Sequence, residues 1–447
     1  MKSIFLKILC WLARGVVRKY RPRVVAIIGS LGKTSAKEAI FTILREKFRV
    51  RAAVKNYNTE AGVALTIFGL PWPGRHWFNW PKVFLQGLAL YFGSDKNYPE
   101  ILILEMAADR PGDLRKLVRM VTPEVAVTTA VGSAHLEFFG SLEKIAREKL
   151  TVPLSVPASG LVVLNYDDAL VLAMREKIKA PVKTYGLSEG AEMRAVELNI
   201  WEEDEEYPRS LKGMRCKVAL DGSLVPLAIS GALGPGVVRA ALAALSVGQH
   251  FGLHVVEMSS TLASHVPPPG RLRLIPGIKW TMLLDDTYNA SPEATESALE
   301  TLASLPAGRK IAVLGDMLEL GHETVNAHHA IGRLVQEKGL DLLLTIGTTV
   351  RLIGVAAEHG GMSREKISHF DNAETAGLKL QKLLQKGDVV LVKGSQAMRL
   401  EKVVKELMAE PLQACNLLVR QETEWVCKSC RDCCRMPTYP HFKLFQT

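Results

Sequence analysis

Between residues 24 and 39 the chain reads VVAIIGSLGKTSAKEA: a run of β-branched and small apolar residues stops at a glycine, passes a second glycine and a lysine, and enters helix formers. The run has strand length and no polar alternation, which predicts a strand at 24–29 buried on both faces, with a helix from about Lys33 to Lys47 after it. The pattern recurs. EILILEMA (100–107), VAVTTAVG (125–132) and GLVVLNYDD (160–168) predict further buried strands, separated by helical stretches such as SLEKIAREKL. Strands alternating with helices predict a mostly parallel sheet with helices on both faces.

From Ala191 to Leu227 the pattern turns polar and strand-like, which predicts an antiparallel excursion at the sheet edge. HVPPPGR (265–271) reads as a linker, because consecutive prolines cannot continue a helix. Beyond it, WTMLLDDTYNASP, KIAVLGDM, DLLLTIG and DVVLVKGS are short apolar strands that each end in small or polar residues. They predict a second open α/β domain with ligands at the carboxyl ends of its strands. The expected organisation is an N-terminal basic amphipathic helix at 1–23, a central domain at 24–268, a C-terminal domain at 269–410 and a poorly ordered tail at 411–447.

Composition narrows the class. At 447 residues the chain can bury large cores without disulfides or metal staples, and no apolar run reaches the roughly 18 residues a membrane span needs. Cys10, Cys216 and Cys415 are scattered while Cys427, Cys430, Cys433 and Cys434 crowd the end, which reads as a reducing cytoplasm rather than a secreted disulfide framework. The start mimics a signal peptide, but Lys7 and Arg14 interrupt its apolar stretch, so it is read as retained. A formal charge of +10 favours anionic partners. No groove-reading motif or basic-aromatic repeat points to nucleic acid.

Gly29-Ser30-x-Gly32-Lys33-Thr34-Ser35 departs from the longer P-loop spacing, which would need a glycine at Ile27, yet it keeps the physical requirements. Glycines let backbone N–H groups approach phosphate oxygens, the helix N-terminus favours an anion, Lys33 neutralises charge, and a hydroxyl can hold Mg²⁺. The spacing leaves open an ordinary strand-to-helix turn that carries a lysine. Glu105 at a strand end, His135 and Lys149 are candidates for the metal set. Each has a plainer reading as a loop charge, a locally satisfied histidine and a surface lysine.

Eight ordered blocks, GSLGKTS, NYNTEAGVALT, EMAADRPGDL, GSAHLEFFGSLEKIAREK, LNYDD, LLDDTYNASPEA, AVLGDMLELG and VKGSQAMRLE, resemble the Mur ligases, most closely the MurF type, over about residues 24 to 405. The resemblance implies a central P-loop ATPase domain with a mostly parallel sheet plus a C-terminal Rossmann-like α/β domain. It implies ATP-dependent joining of a carboxylate to an amine through an acyl phosphate, here D-alanyl-D-alanine added to a UDP-muramyl-peptide in peptidoglycan synthesis. Gly29, Ser30, Gly32, Lys33, Thr34 and Ser35 would then cradle ATP. Thr34 and Glu105 would hold one Mg²⁺, and His135 and Lys149 a second, with Lys149 carbamylated by CO₂; a lysine modified this way must first be neutral, so a depressed pKa is expected. Arg271, Asp286, Tyr288 and Asn289 would meet the nucleotide, and Asn58, Thr59, Lys393 and Ser395 the substrates. Plainer readings remain for Ser395, a helix cap, and for Tyr288, a buried hydrogen-bonded ring. Departures are Ala107 where the family has glycine, Ala130 near a family asparagine, and GALGPGVVRAALAA (231–244) without a histidine.

Only 23 residues precede Val24, where the MurF type carries a UDP-gripping domain, so the UDP or lipid end of the substrate is expected to be held in another way. Lys7, Arg14, Arg18 and Arg21 form a basic stripe on an apolar helix. Trp72, Trp77 and Trp80 lie beside Arg75 and Lys82 in a second segment, 71–93. These segments either contact the inner membrane face peripherally or pack as core. The tail cysteines with His441 read as a Zn²⁺ site or as a silent extension. Two other functions stay open: a Mur-like ligase for another cell-wall peptide or polyglutamate, and a non-catalytic membrane-surface scaffold.

Overall fold

A computed structural model of the chain describes residues 2–53, 57–74, 79–134, 136–306 and 308–421. The chain forms two compact units, one of Met1–Leu198, Arg215–Ile229 and Gly236–His265, the other of Asn199–Met214, Ser230–Pro235 and the chain from Val266 on.

The elements up to His265 are α1 (Lys2–Tyr20), β1 (Arg23–Ile28), α2 (Lys33–Leu44), β2 (Val50–Ala52), α3 (Glu60–Phe68), α4 (Trp80–Phe92), β3 (Ile101–Glu105), α5 (Asp113–Met120), β4 (Val125–Thr128), α6 (Leu136–Phe139), α7 (Leu142–Lys149), β5 (Leu161–Asn165), α8 (Ala169–Leu172), β6 (Val182–Gly186), β7 (Met193–Glu202), β8 (Leu211–Leu220), β9 (Ser223–Ser230), α9 (Pro235–His250) and α10 (Val255–Ala263). Among the described residues nine strands form one sheet in the order β2-β3-β1-β4-β5-β6-β7-β8-β9. The pairings from β2 through β7 are parallel, and β3, β4 and β5 are buried throughout, as continuous apolar runs require. β8 and β9 form a hairpin through Asp221-Gly222, whose φ values of 48° and 78° suit a two-residue turn of the twisted kind. The reversal thus comes later than the polar pattern from Ala191 suggests, because β7 still pairs in parallel with β6.

Leu9, Leu12, Ala13 and Val16 of α1 lie in the same core as Val63 and Phe68 of α3 and Val83 and Leu90 of α4. The packing alternative for the N-terminal helix is therefore realised along this face.

The second unit continues with β10 (Arg273–Gly277), β11 (Thr281–Asp286), α11 (Pro292–Ala303), β12 (Lys310–Gly315), α12 (Thr324–Glu337), β13 (Leu342–Ile346), α13 (Arg351–His359), β14 (Ile367–Phe370), α14 (Ala373–Leu383), β15 (Val389–Lys393), α15 (Glu401–Leu407) and α16 (Ala414–Leu417). Its described strands pair in the order β10-β11-β15-β12-β13-β14, parallel except for β10 with β11. Ala414 and Leu418 join the core of this unit and Arg420 is buried, so the packed chain runs past residue 410. Cys427, Cys430, Cys433, Cys434 and His441 lie outside the described residues, as do Arg75, Trp77 and His135.

Candidate active site

Strand β1 lies between β3 and β4 with Ile27 level with Glu105 and with Val127, so the segments that follow these three strands start side by side. The first of them is the glycine loop. Gly29 has φ 144°, and a Cβ there would stand 1.9 Å from Thr129 Oγ1; Gly32 caps α2 with φ 78°. Both positions need glycine, the first for close approach to the neighbouring strand end and the second for its left-handed backbone. Ser30 Oγ donates to Gly132 O at 3.1 Å, and Lys33 Nζ donates to Gly29 O at 2.8 Å and Ser30 O at 3.1 Å. The lysine ammonium therefore lies over the loop whose N–H groups open the helix.

Thr34 Oγ1 donates to Glu105 Oε2 at 3.2 Å. Glu105 is 1% exposed, and its Oε1 is buried and accepts no hydrogen bond among the described residues. A buried carboxylate oxygen without a donor is costly, and a hydroxyl and a carboxylate together suit a hard divalent cation. The residues thus fit Mg²⁺.

Lys149 ends α7 and is buried. Burial, and after it the Lys33 ammonium, pull its amine down to about 7, with Glu148 opposing. The Glu148 carboxylate accepts the N–H groups of Gly112 at 2.9 Å and Leu114 at 3.0 Å, tying α7 to the start of α5. Asp168 accepts from Val131 N at 2.7 Å and Val171 N at 3.0 Å, which anchors the segment after β4. Ser35 follows Thr34 in the first turn of α2. Thr59 caps α3, its side chain accepting from Gly62 N, and Asn58 O accepts from Ala107 N at 3.1 Å, just beyond Glu105.

In the second unit a separate cluster forms where β11 and β15 end. Lys393 Nζ donates to Asp286 Oδ2 at 2.6 Å and Asn289 O at 3.0 Å. The Arg271 guanidinium lies 4.0 Å from the centre of the Tyr288 ring. Gln396 N donates to Asn289 Oδ1 at 3.4 Å, and Ser395 Oγ accepts from Leu318 N at 2.9 Å. The structure thus brings Arg271, Asp286, Tyr288, Asn289, Lys393 and Ser395 to one strand-end cluster. Asp285, which points the other way along β11, accepts from Gly270 N, Thr287 N and Thr287 Oγ1, and burial raises its carboxyl to about 6.

Sequence reasoning did not single out Glu148 or Arg420. Arg420 donates to Thr287 O at 3.2 Å and Tyr288 O at 2.5 Å and pairs with Glu401 at 2.8 Å, so it holds the Tyr288 segment from a position 132 residues away. No local signal marks it.

Fold and loop together have the layout of an α/β enzyme of the nucleotide-dependent class. The description "Mur ligase middle domain" matches residues 84–232, and "Mur ligase, glutamate ligase domain" matches 270–396. The chain belongs to the Mur ligase family. It is 30% identical over 411 residues to the UDP-N-acetylmuramoyl-tripeptide–D-alanyl-D-alanine ligase of Mycobacterium leprae, covering 87% of this chain and 74% of that one. It is 28% identical to the Bacillus subtilis ligase of the same name, covering 90% and 79%. The crystal structure of MurF ligase from Thermotoga maritima in complex with ADP superposes with a TM-score of 0.74 at 30% identity, covering 90% of this chain and 83% of that one.

Proposed function

We propose that this chain is an ATP- and Mg²⁺-dependent ligase that activates the carboxylate of a UDP-muramyl-peptide as an acyl phosphate and joins it to D-alanyl-D-alanine. The observation that carries the reading is the buried Glu105 carboxylate, one oxygen on Thr34 and the other without a donor among the described residues, beside a glycine loop crossed by Lys33. Backbone N–H groups of residues 29–34 and the start of α2 bind phosphate oxygens, and Lys33 neutralises charge that builds on them during transfer. Thr34 and Glu105 hold a Mg²⁺ ion, which supplies charge neutralisation when bound. The resemblance adds His135 and Lys149 for a second ion. The buried amine of Lys149 supports carbamylation, since CO₂ adds to a neutral amine. Arg271, Asp286, Tyr288 and Asn289 meet the nucleotide in this reading, and Asn58, Thr59, Lys393 and Ser395 position the substrates.

The test is phosphate release from ATP by purified protein with UDP-muramyl-tripeptide, with D-alanyl-D-alanine, with both, and with Lys33→Ala. Release that needs both substrates and vanishes in the variant is expected. Release with only another cell-wall peptide or a folate-type glutamate acceptor replaces the substrate, and none with any acceptor overturns the ligase reading.

A further inference from the structure

Helices α1 and α4 lie side by side and run the same way. Phe5 packs on Trp80 and Phe84 with ring centres 5.0 and 4.7 Å apart, Trp11 on Tyr91 at 5.4 Å, and Lys19 Nζ donates to Leu90 O and Tyr91 O where α4 ends. Gly15 permits this, because a Cβ there would stand 2.3 Å from the Tyr91 ring. Both helices bury one face in the core they share with α3. Their opposite faces are apolar too. Ile4, Ile8 and Trp11 on α1, and Leu85, Leu88 and Phe92 on α4, are exposed, Phe92 by 76%.

At about 100° per residue, Ile4, Ile8 and Trp11 share an arc of roughly 120° with Lys7, Arg14 and Arg18, opposite the buried Leu9, Ala13 and Val16. On α4, Lys82 borders the arc of Leu85, Leu88 and Phe92. Neither helix contains a single Asp or Glu. Exposed apolar side chains, tryptophan among them, set between lysines and arginines suit the boundary between lipid headgroups and acyl chains, where the cations meet anionic headgroups. Among the described residues no helix is long and apolar enough to cross a membrane. We infer that the outward face of α1 and α4 docks the protein peripherally on an anionic phospholipid surface.

The docking is independent of the ligase reading, because it is measured without ATP or acceptor. Full-length protein is sedimented with vesicles of phosphatidylcholine containing phosphatidylglycerol, and with vesicles of phosphatidylcholine alone, at low and high salt. Binding to the anionic vesicles that weakens with salt is expected. Trp11→Glu/Phe92→Glu and Arg14→Glu/Arg18→Glu should each weaken it by roughly tenfold or more, since each juxtamembrane cation contributes about fivefold. All four side chains are exposed, so unchanged thermal melting shows that the variants are folded. Failure of the folded wild type to bind, or binding that neither variant weakens, overturns the inference. A wild-type dimer in sedimentation velocity that Trp11→Glu/Phe92→Glu converts to monomer also overturns it, by assigning the face to a second copy.

Discussion

Lys393 and Asp286 end neighbouring parallel strands and meet at 2.6 Å, their side chains 2% and 11% exposed. The ammonium is also fixed by Asn289 O, and Asp286 Oδ1 accepts Leu272 N at 3.3 Å. Breaking such a pair from one side strands the other charge in a site that cannot hydrate it. Lys393→Met is therefore expected to cost about 3–5 kcal/mol, because Asp286 stays buried without its cation. Asp286→Asn in the same background removes the stranded charge and should recover much of that loss. Urea unfolding of the two variants measures the difference. Equal stability of single and double variants would show that the carboxylate finds water.

Glu105 leads to the opposite expectation for stability. Among the described residues no donor reaches its buried Oε1, so folding pays for a carboxylate that the ligase reading assigns to Mg²⁺. Glu105→Gln keeps the shape and removes the charge. Thermal melting should stay level or rise, while substrate-dependent phosphate release falls by about 100-fold or more. A variant that melts lower and loses activity in proportion would make Glu105 a structural residue.

The glycine loop was legible in the sequence because its parts are neighbours in the chain: Gly29, Gly32, Lys33 and Thr34 keep their spacing in any strand-loop-helix. The central strands were legible because strands buried on both faces are continuous apolar runs. Other features depend on positions that only folding brings together. Asp285 and Asp286 are identical in sequence, yet strand alternation sends one to Gly270 and Thr287 and the other to Lys393. The clamp of Glu148 on the start of α5 and the grip of Arg420 on residues 287 and 288 have no local pattern. In α1, apolar side chains occur on both faces, so periodicity could not choose between Leu9, Leu12 and Val16 as the buried set and Ile4, Ile8 and Trp11 as the exposed one.

His265 makes the stability of the first unit sensitive to acid. Its Nδ1 lies 2.9 Å from Thr42 Oγ1, and burial, with the Arg45 cation second, pulls its imidazole down to about 4. Above about pH 6.5 the folded and unfolded forms are both neutral and the contribution is complete. Below it the unfolded chain takes up a proton that the folded chain refuses, so stability falls until the folded group titrates near pH 4. The loss amounts to about 3 kcal/mol over that window. His265→Gln keeps a side chain able to bond Thr42 and cannot titrate. The gap in urea midpoint between wild type and variant should shift toward the variant from pH 7 to pH 4.5. A gap that does not change with pH would mean that the ring charges in place.

Arg420 joins stability to the proposed nucleotide site. It is 8% exposed, its guanidinium satisfies the carbonyls of Thr287 and Tyr288, and it neutralises Glu401, which is 1% exposed and is also held by Arg399 at 2.5 Å. Arg420→Met removes the donors and leaves Glu401 with one cation, an expected cost of about 2–4 kcal/mol. The Tyr288 ring lies against Arg271, so loosening its backbone should also blur the surface that the ligase reading gives to ATP. The expected kinetic signature is a KM for ATP raised about tenfold with kcat changed less, since the residue positions a binding segment and touches no reacting atom. Arg420→Lys restores one charge but not the fork that spans two carbonyls and a carboxylate, and should lie between wild type and Arg420→Met in both readouts. A destabilised Arg420→Met with an unchanged KM for ATP would restrict Arg420 to a structural tie between Glu401 and residues 287 and 288.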